Sequence, residues 1–475
     1  MNRQIVQLFG LFTLLFALLV GFTSRWTVLE AESLEQNTAN RRTLLAEQRI
    51  PRGMIFARDG RTRIATSDRI GTGEAARFQR SYPFGPLFSH PVGYSFVQRG
   101  RAGLEKSKND ELTGDRNEFS SIVDQLSGGA PQGDDLITTL DAKAQRTAVQ
   151  GLGGRKGSVV AIEPRTGRIR VMVSVPQFDP NDVPERYGAL NADDQNAPLL
   201  NRATQGRYPP GSTMKVVTAA AAIDSGRFRP DSVLDGGSPR VVGGAELENF
   251  GGQDYGPITL TEALTNSVNT VWGQVGERLG KETMYDYMQR FGFNRQPPLD
   301  YPAEQLSPSG VFARGRLLDE QAGVDIGRVA IGQERLQVAP LQMAMVAATL
   351  ANGGTLMEPR LAERSVARDG RVRERFEPAR ATEVVKPATA RQVGQMMANV
   401  VKEGSGTAAA LEGIPVAGKT GTAEVDGRTS NQAWFIAFAP VERPQMAIAV
   451  TVERTQGFGG TVAAPIAKRV LQDLL

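Results

Sequence analysis

Residues Ile5 to Phe22 form an uncharged apolar run broken only by Gln7, Gly10, Thr13 and Gly21. A helix that is apolar all round cannot lie on a water-facing surface; it must be buried in protein or in lipid. At about 1.5 Å per residue this one nearly spans a hydrocarbon core of about 30 Å. Arg3 precedes it, and Arg25 and Trp26 follow it, the indole suiting a membrane interface. The chain reads Gly21-Phe22-Thr23 after Val20, with no Ala-x-Ala site, so a retained anchor is expected over a cleaved signal peptide. The short N-terminal tail and long remainder favour tail inside and bulk outside.

The rest of the 475-residue chain is long enough for roughly two to four domains, and 40% hydrophobic residues suffice for a core. There is no cysteine, which excludes disulfides, thiol nucleophiles and cysteine-based zinc sites. The single histidine, His90, leaves no two-His metal motif and argues against a Ser-His-Asp triad. No metal or cofactor is expected. A net charge of +4 with basic residues dispersed is too mild for a nucleic-acid face. It suits an ordinary solvated surface, or contact with anionic envelope polymers.

Leu29 to Leu45 reads as a polar, helix-compatible stalk. Met54-Ile55-Phe56, the turn Arg58-Asp59-Gly60 and Ile64-Ala65 predict a hairpin, and Leu136 to Leu140 predict a strand. Asp141 can cap a helix reaching Leu152. Ser158 to Ile162 and Ile169 to Val175, joined by Pro164-Arg165-Thr166-Gly167, form a second hairpin. Three further strands are expected at Val416–Val425, Ala433–Ala439 and Met446–Val452, then a helix from about Pro465 to Leu474. A mostly helical stretch separates the two strand groups, and Thr407 to Leu411 also reads as helical. Strands at both ends with helices between predict one sheet built from both ends of the chain, an α+β layout. The expected division is an anchor over 1–25, a small mixed domain over 26–152 and the larger domain over 153–475.

Three short motifs carry the chemistry. In Ser212-Thr213-Met214-Lys215 the prolines Pro209-Pro210 introduce a helix whose next residues, Val216 to Ile223, are apolar. Ser212 falls at its start and Lys215 one turn on, on the same face. A lysine desolvated there can lose its proton and act as base toward the serine hydroxyl. Ser267-Val268-Asn269 offers a hydroxyl to relay a proton and an amide to hold substrate or Lys215. In Lys419-Thr420-Gly421-Thr422, Lys419 supplies positive potential, Thr420 and Thr422 offer hydroxyls to a carboxylate, and Gly421 permits close backbone approach. The backbone N–H groups of Ser212 and Thr422 would form an oxyanion hole. Each motif has a bland alternative, a capping serine or a snorkelling lysine. Gly413 to Thr420 also fits the P-loop pattern G-x-x-x-x-G-K-[ST], but that loop needs a helix after it and an extended run follows.

Together, S-x-x-K, S-x-N and K-T-G make the active-serine set. With Asn201-Arg202-Ala203, Tyr208-Pro209-Pro210-Gly211, Phe178-Asp179-Pro180-Asn181, Ile331-Gly332-Gln333, Leu350 to Gly354, Gly418 to Glu424 and Arg52-Gly53, the chain resembles class B penicillin-binding proteins over nearly its whole length. It is most similar to the short actinobacterial type, which lacks C-terminal PASTA repeats. The resemblance implies an N-terminal pedestal of dimerisation type over 26–152 and, over 153–475, a transpeptidase domain like that of serine β-lactamases, with helices on both faces of a five-stranded antiparallel sheet. It implies a peptidoglycan D,D-transpeptidase acting in cell-wall growth or division. Ser212 would attack the D-Ala-D-Ala bond of a stem peptide and a neighbouring stem-peptide amine would take the acyl group. β-Lactams would acylate Ser212, and a SEDS-type glycosyltransferase would be a membrane partner. A D,D-carboxypeptidase, a serine β-lactamase and a non-catalytic envelope scaffold or sensor share parts of this pattern. A class A lactamase needs a deacylating glutamate, and the segment Glu304-Gln305-Leu306 continues with Ser307-Pro308 rather than Asn.

Overall fold

The computed structural model describes residues 2–30, 48–72, 76–114, 132–319, 323–425 and 429–475. Most of the expected stalk lies outside the described residues. Helix α1 (Asn2–Ser24) carries the apolar run. From Arg3 to Thr27 it is unburied, and it is long and apolar enough to cross a membrane.

The first hairpin forms as its residues predict. Strand β1 (Ile55–Phe56) pairs antiparallel with β2 (Arg63–Ile70), Ile55 opposite Ala65. The Asp59 carboxylate closes the turn by accepting the Arg61 and Thr62 N–H groups, both at 2.9 Å. Strand β3 (Arg77–Ser81) extends the sheet on one side, and β4 (Asp135–Thr138) lies parallel to β1 on the other. Beneath them the buried Glu105 carboxylate takes Arg52 at 2.7 Å and Arg80 at 2.5 Å, so these three buried groups are paired.

Asp141 caps α2 (Ala142–Leu152) by accepting two backbone N–H groups. Strands β5 (Gly157–Ile162) and β6 (Ile169–Val175) follow as the expected hairpin. The helical stretch contains α3 (Lys215–Asp224), α4 (Leu260–Thr265), α5 (Asn269–Arg290) and α6 (Pro340–Ala351). Next come β7 (Ala362–Val366) and β8 (Val372–Arg375), which do not join the sheet nearest to them in sequence. Strand β7 pairs antiparallel with β4, Ala362 opposite Thr138, so the first sheet runs β8-β7-β4-β1-β2-β3. The partly buried Asp300 carboxylate fixes this crossover by accepting the Leu361 and Ala362 N–H groups at 2.7 and 2.8 Å.

Helix α7 (Pro387–Lys402), strands β9 (Ala417–Val425), β10 (Ser430–Ala439) and β11 (Met446–Thr455), and helix α8 (Ala464–Leu474) complete the chain. They close a five-stranded antiparallel sheet ordered β9-β10-β11-β5-β6, built from both ends of this half of the chain. The strands are apolar on both faces, and alternation divides them. Val160, Met172, Trp434 and Ile436 belong to the core containing α3, α5, α6 and α7. Val159, Val171, Phe435 and Val450 belong to the core containing α2 and α8. Between α7 and β9 the expected helix shrinks to one 3-10 turn, Thr407–Ala409. Gly404, Gly406 and Gly413 flank it, and so short a segment cannot repay helix nucleation.

Candidate active site

The turn that carries Ser212 is set by backbone. Gly211 holds a left-handed φ of 51° and donates its N–H to Gly332 O at 3.1 Å. A 3-10 turn, Gly211–Met214, then runs straight into α3. Ser212 is half-buried on that turn, and Lys215, the first residue of α3, is fully buried.

The second motif interrupts a helix. Thr259 and Glu262 form a reciprocal capping box at the start of α4, which ends before Ser267. Ser267 has φ 59°, a left-handed conformation costing roughly 1–2 kcal/mol for a residue with a Cβ. The kink turns its hydroxyl and carbonyl toward Lys215 before α5 begins at Asn269. Lys215 Nζ donates to Ser267 O at 2.7 Å, Ser267 Oγ at 3.2 Å and Asn269 Oδ1 at 2.7 Å. The Asn269 amide is oriented from behind, its Nδ2 donating to Glu248 O at 2.8 Å.

The third motif reaches the same hydroxyl from the sheet. Lys419, fully buried on edge strand β9, donates to Ser267 Oγ at 2.9 Å and to Thr420 O at 3.0 Å. Ser267 Oγ thus sits between two lysine amines. Burial pushes Lys419 down to about 7. Lys215 is held well below the usual lysine range, first by burial and then by the charge of Lys419. With both amines on one hydroxyl, charge on Lys419 opposes charge on Lys215. A neutral Lys215 would keep two N–H groups for Ser267 O and Asn269 Oδ1 and leave a lone pair for a hydroxyl proton, the form a general base requires.

Strand β9 and the Ser212 turn touch through glycines. A Cβ on Gly421 would lie 2.8 Å from both Pro210 O and the Thr213 methyl group, and one on Gly211 would lie 2.6 Å from Thr422 O. Gly421 therefore admits the Ser212 turn against the strand. Trp434 secures that approach from below, its indole N–H donating to Pro209 O at 2.9 Å. The two threonines lie on the other side of the pleat. Thr420 shares a hydrogen bond of 2.6 Å with Ser405 Oγ, and Thr422 Oγ1 accepts the Gly459 N–H at 3.2 Å.

All three predicted motifs converge on one site. Sequence reasoning missed Ser405 and Gly459, which orient the two threonine hydroxyls. Gly459 packs so closely that a Cβ would lie 2.1 Å from Trp434 O and 2.4 Å from Gly421 O. The Gly459-Gly460 pair after the last strand was the available signal. Lys419 and Gly421 lie within the extended nine-residue strand β9, in place of the helix that a P-loop would need. Glu304 sits on a separate turn, its carboxylate taking Lys106 at 2.5 Å. His90 is buried elsewhere, its Nε2 bonded to Pro198 O at 3.0 Å.

The penicillin-binding protein transpeptidase domain family matches residues 157–472, and the penicillin-binding protein A dimerisation domain matches residues 52–136. Peptidoglycan D,D-transpeptidase PbpA of Mycolicibacterium smegmatis is 34% identical over 99% of this chain and 98% of its own. Stage V sporulation protein D of Bacillus subtilis is 31% identical over 90% of this chain and 69% of its own. Penicillin-binding protein A from M. tuberculosis, solved as its ceftriaxone acyl-enzyme complex, matches with a TM-score of 0.81 at 32% identity, covering 91% of this chain and 100% of that one. Motifs, sheet and relatives agree, and the chain belongs to the penicillin-binding protein transpeptidase family.

Proposed function

We propose that this protein is a peptidoglycan D,D-transpeptidase that works through an acyl-enzyme on Ser212. The observation that carries the assignment is the convergence of two buried lysines on Ser267 Oγ, beside the half-buried Ser212 turn. In the first half-reaction Ser212 Oγ attacks the carbonyl of the penultimate D-alanine and its proton passes to neutral Lys215. The N–H groups of Ser212 and Thr422 stabilise the oxyanion. The C–N bond breaks, and Lys215, through Ser267, returns the proton to the departing D-alanine amine. In the second half an acceptor amine attacks the ester, gives its proton to Lys215, and Ser212 Oγ leaves and is reprotonated. Lys419, Thr420 and Thr422 hold the donor's terminal carboxylate, Asn269 orients Lys215 and substrate, and Gly421 keeps strand and nucleophile in contact.

β-Lactams would enter as mimics of the donor. Penicillin-binding protein A from M. tuberculosis forms acyl-enzymes with ceftriaxone and imipenem. A lactamase requires rapid deacylation, and the engagement of Glu304 with Lys106 gives no support to that role. The exposed apolar helix supports a single-pass anchor with the catalytic domain outside the membrane, and the division into anchor, pedestal and transpeptidase domain follows the same boundaries as above. A SEDS-type glycosyltransferase would meet the anchor and pedestal. Co-purification that survives deletion of residues 1–150 would rule that contact out.

The test of the assignment is intact mass of the full-length protein in detergent after mixing with benzylpenicillin, beside Ser212→Ala. The expected result is a drug-sized adduct that persists for hours and is absent in the variant. An adduct lost within seconds would indicate a lactamase, and no adduct on either protein would refute the serine mechanism. Supplying an acceptor amine then separates cross-linking from hydrolysis, the carboxypeptidase outcome.

A further inference from the structure

Helix α5 starts at Asn269, directly after the left-handed Ser267, and the residue at its cap position is Val268, which makes no side-chain capping bond. The free N–H groups of a first helical turn then need partners from elsewhere. For Thr270 the partner comes from a distant loop. Its N–H donates to Asn249 Oδ1 at 3.0 Å, and its hydroxyl donates to the same oxygen at 3.2 Å. On the other side of that amide, Asn249 Nδ2 donates to Gly236 O at 3.0 Å and to Gln253 O at 2.9 Å. The side chain is buried, and all four bonds open to an asparagine amide are made. Aspartate would lack the two donors, and glutamine would be one methylene too long.

The peptide that joins Glu248 to Asn249 carries this anchoring to the active site. Its N–H donates to Ser238 Oγ at 3.0 Å. In a trans peptide the N–H and C=O point opposite ways, so the bond to Ser238 aims Glu248 O, which accepts Asn269 Nδ2 at 2.8 Å. With its nitrogen engaged there, the Asn269 amide presents its oxygen to Lys215 Nζ, at 2.7 Å. Turned over, it would set its NH2 group against the lysine amine, donor against donor. Asn249 therefore grips the first turn of α5 at Thr270 and also fixes the carbonyl that decides which way Asn269 faces. We propose that Asn249 is a positioning residue for acylation, acting through Asn269 to hold an acceptor on Lys215. The inference rests on the acyl-enzyme assignment above.

The test is a double-mutant cycle on the full-length protein, read as the rate of benzylpenicillin adduct formation by intact mass over hours. Asn249→Ala frees the loop, and Ser238→Ala loosens the same peptide more gently. Both changes are neutral, so neither adds a charge near Lys215. Asn249→Ala should slow acylation by about tenfold and Ser238→Ala by about threefold, the scale of a misplacement of half an ångström or less. In an Asn269→Ala background, where no amide remains to be oriented, each change should alter the rate by less than about twofold. A purely structural role would slow both backgrounds by the same factor, and that result overturns the inference. An unchanged rate for Asn249→Ala in the otherwise unmodified protein overturns it as well. The final adduct yield counts folded molecules, so a variant that fails to fold is recognised, and the Ser238→Ala pair then carries the comparison. Absence of any adduct on the unmodified protein overturns the serine mechanism itself, a result distinct from the other two.

Discussion

Replacing Gly421 by alanine tests what that glycine does. The new methyl group would lie 2.8 Å from Pro210 O and from the Thr213 methyl carbon, and 3.0 Å from Trp434 Cβ. Ordinary contacts begin near 3.4 Å, so the Ser212 turn must retreat from β9 by roughly half an ångström. Pro210 is held by its ring and Trp434 grips Pro209 O, so the turn gives way only with strain. Overpacking of this kind costs about 1–3 kcal/mol, and a 1 Å misplacement costs about a hundredfold in rate. Half of that displacement implies roughly a tenfold loss in the second-order acylation rate, with a melting temperature lowered by about 2–10 °C. The assay follows adduct mass against time for benzylpenicillin and for 6-aminopenicillanic acid, which lacks the acyl side chain. If the glycine holds the nucleophile's turn, both compounds slow by a similar factor. If it instead makes room for the substrate backbone, the smaller compound is spared. Wild-type rates with both compounds, or a loss confined to the larger one, would refute the packing argument.

Acylation should follow a bell in pH, since Lys215 must be neutral and Lys419 charged. The alkaline limb lies near pH 7, where Lys419 loses its proton, and the acid limb belongs to Lys215. Lys419→Arg should shift the alkaline limb beyond pH 10, and a limb that stays near 7 would remove Lys419 from that role. His90 should set a second pH dependence, of stability. Burial lowers it to about 4 from an ordinary 6.5. The unfolded chain then takes the proton first, and stability present above pH 6.5 is lost as pH falls toward 4, by about 3 kcal/mol. Urea midpoints of His90→Gln and wild type should therefore converge or cross in favour of the variant by that amount between pH 6.5 and 4. Asp300, raised to about 6 by burial, pulls the opposite way in both proteins and drops out of the comparison. Parallel curves would mean that His90 is charged in the fold.

What could be read from the residues, and what could not, divides by the range of the interaction. Continuous apolar runs such as Val159 to Ile162 and Phe435 to Phe438 announce strands because burial on two faces leaves only apolar side chains, and their order along the chain implies a sheet made from both ends. The motifs announce chemistry because a chain without a usable histidine needs a lysine as its base. Long-range contacts leave no such trace. Nothing in Ala362 to Val366 marks it as the partner of Asp135 to Thr138, since an edge hairpin looks the same whichever sheet it joins. The fit of Gly421 against Pro210 and Thr213 joins segments about two hundred residues apart, and a close-packed glycine reads locally like a flexible one. The decisive quantity, the protonation of Lys215, is furthest from the sequence. S-x-x-K names the residue, but the downward push on its proton affinity comes from its burial and from a second lysine arriving on β9. A serine and a lysine one helical turn apart become a nucleophile and base only when the surrounding fold makes charge on that lysine costly.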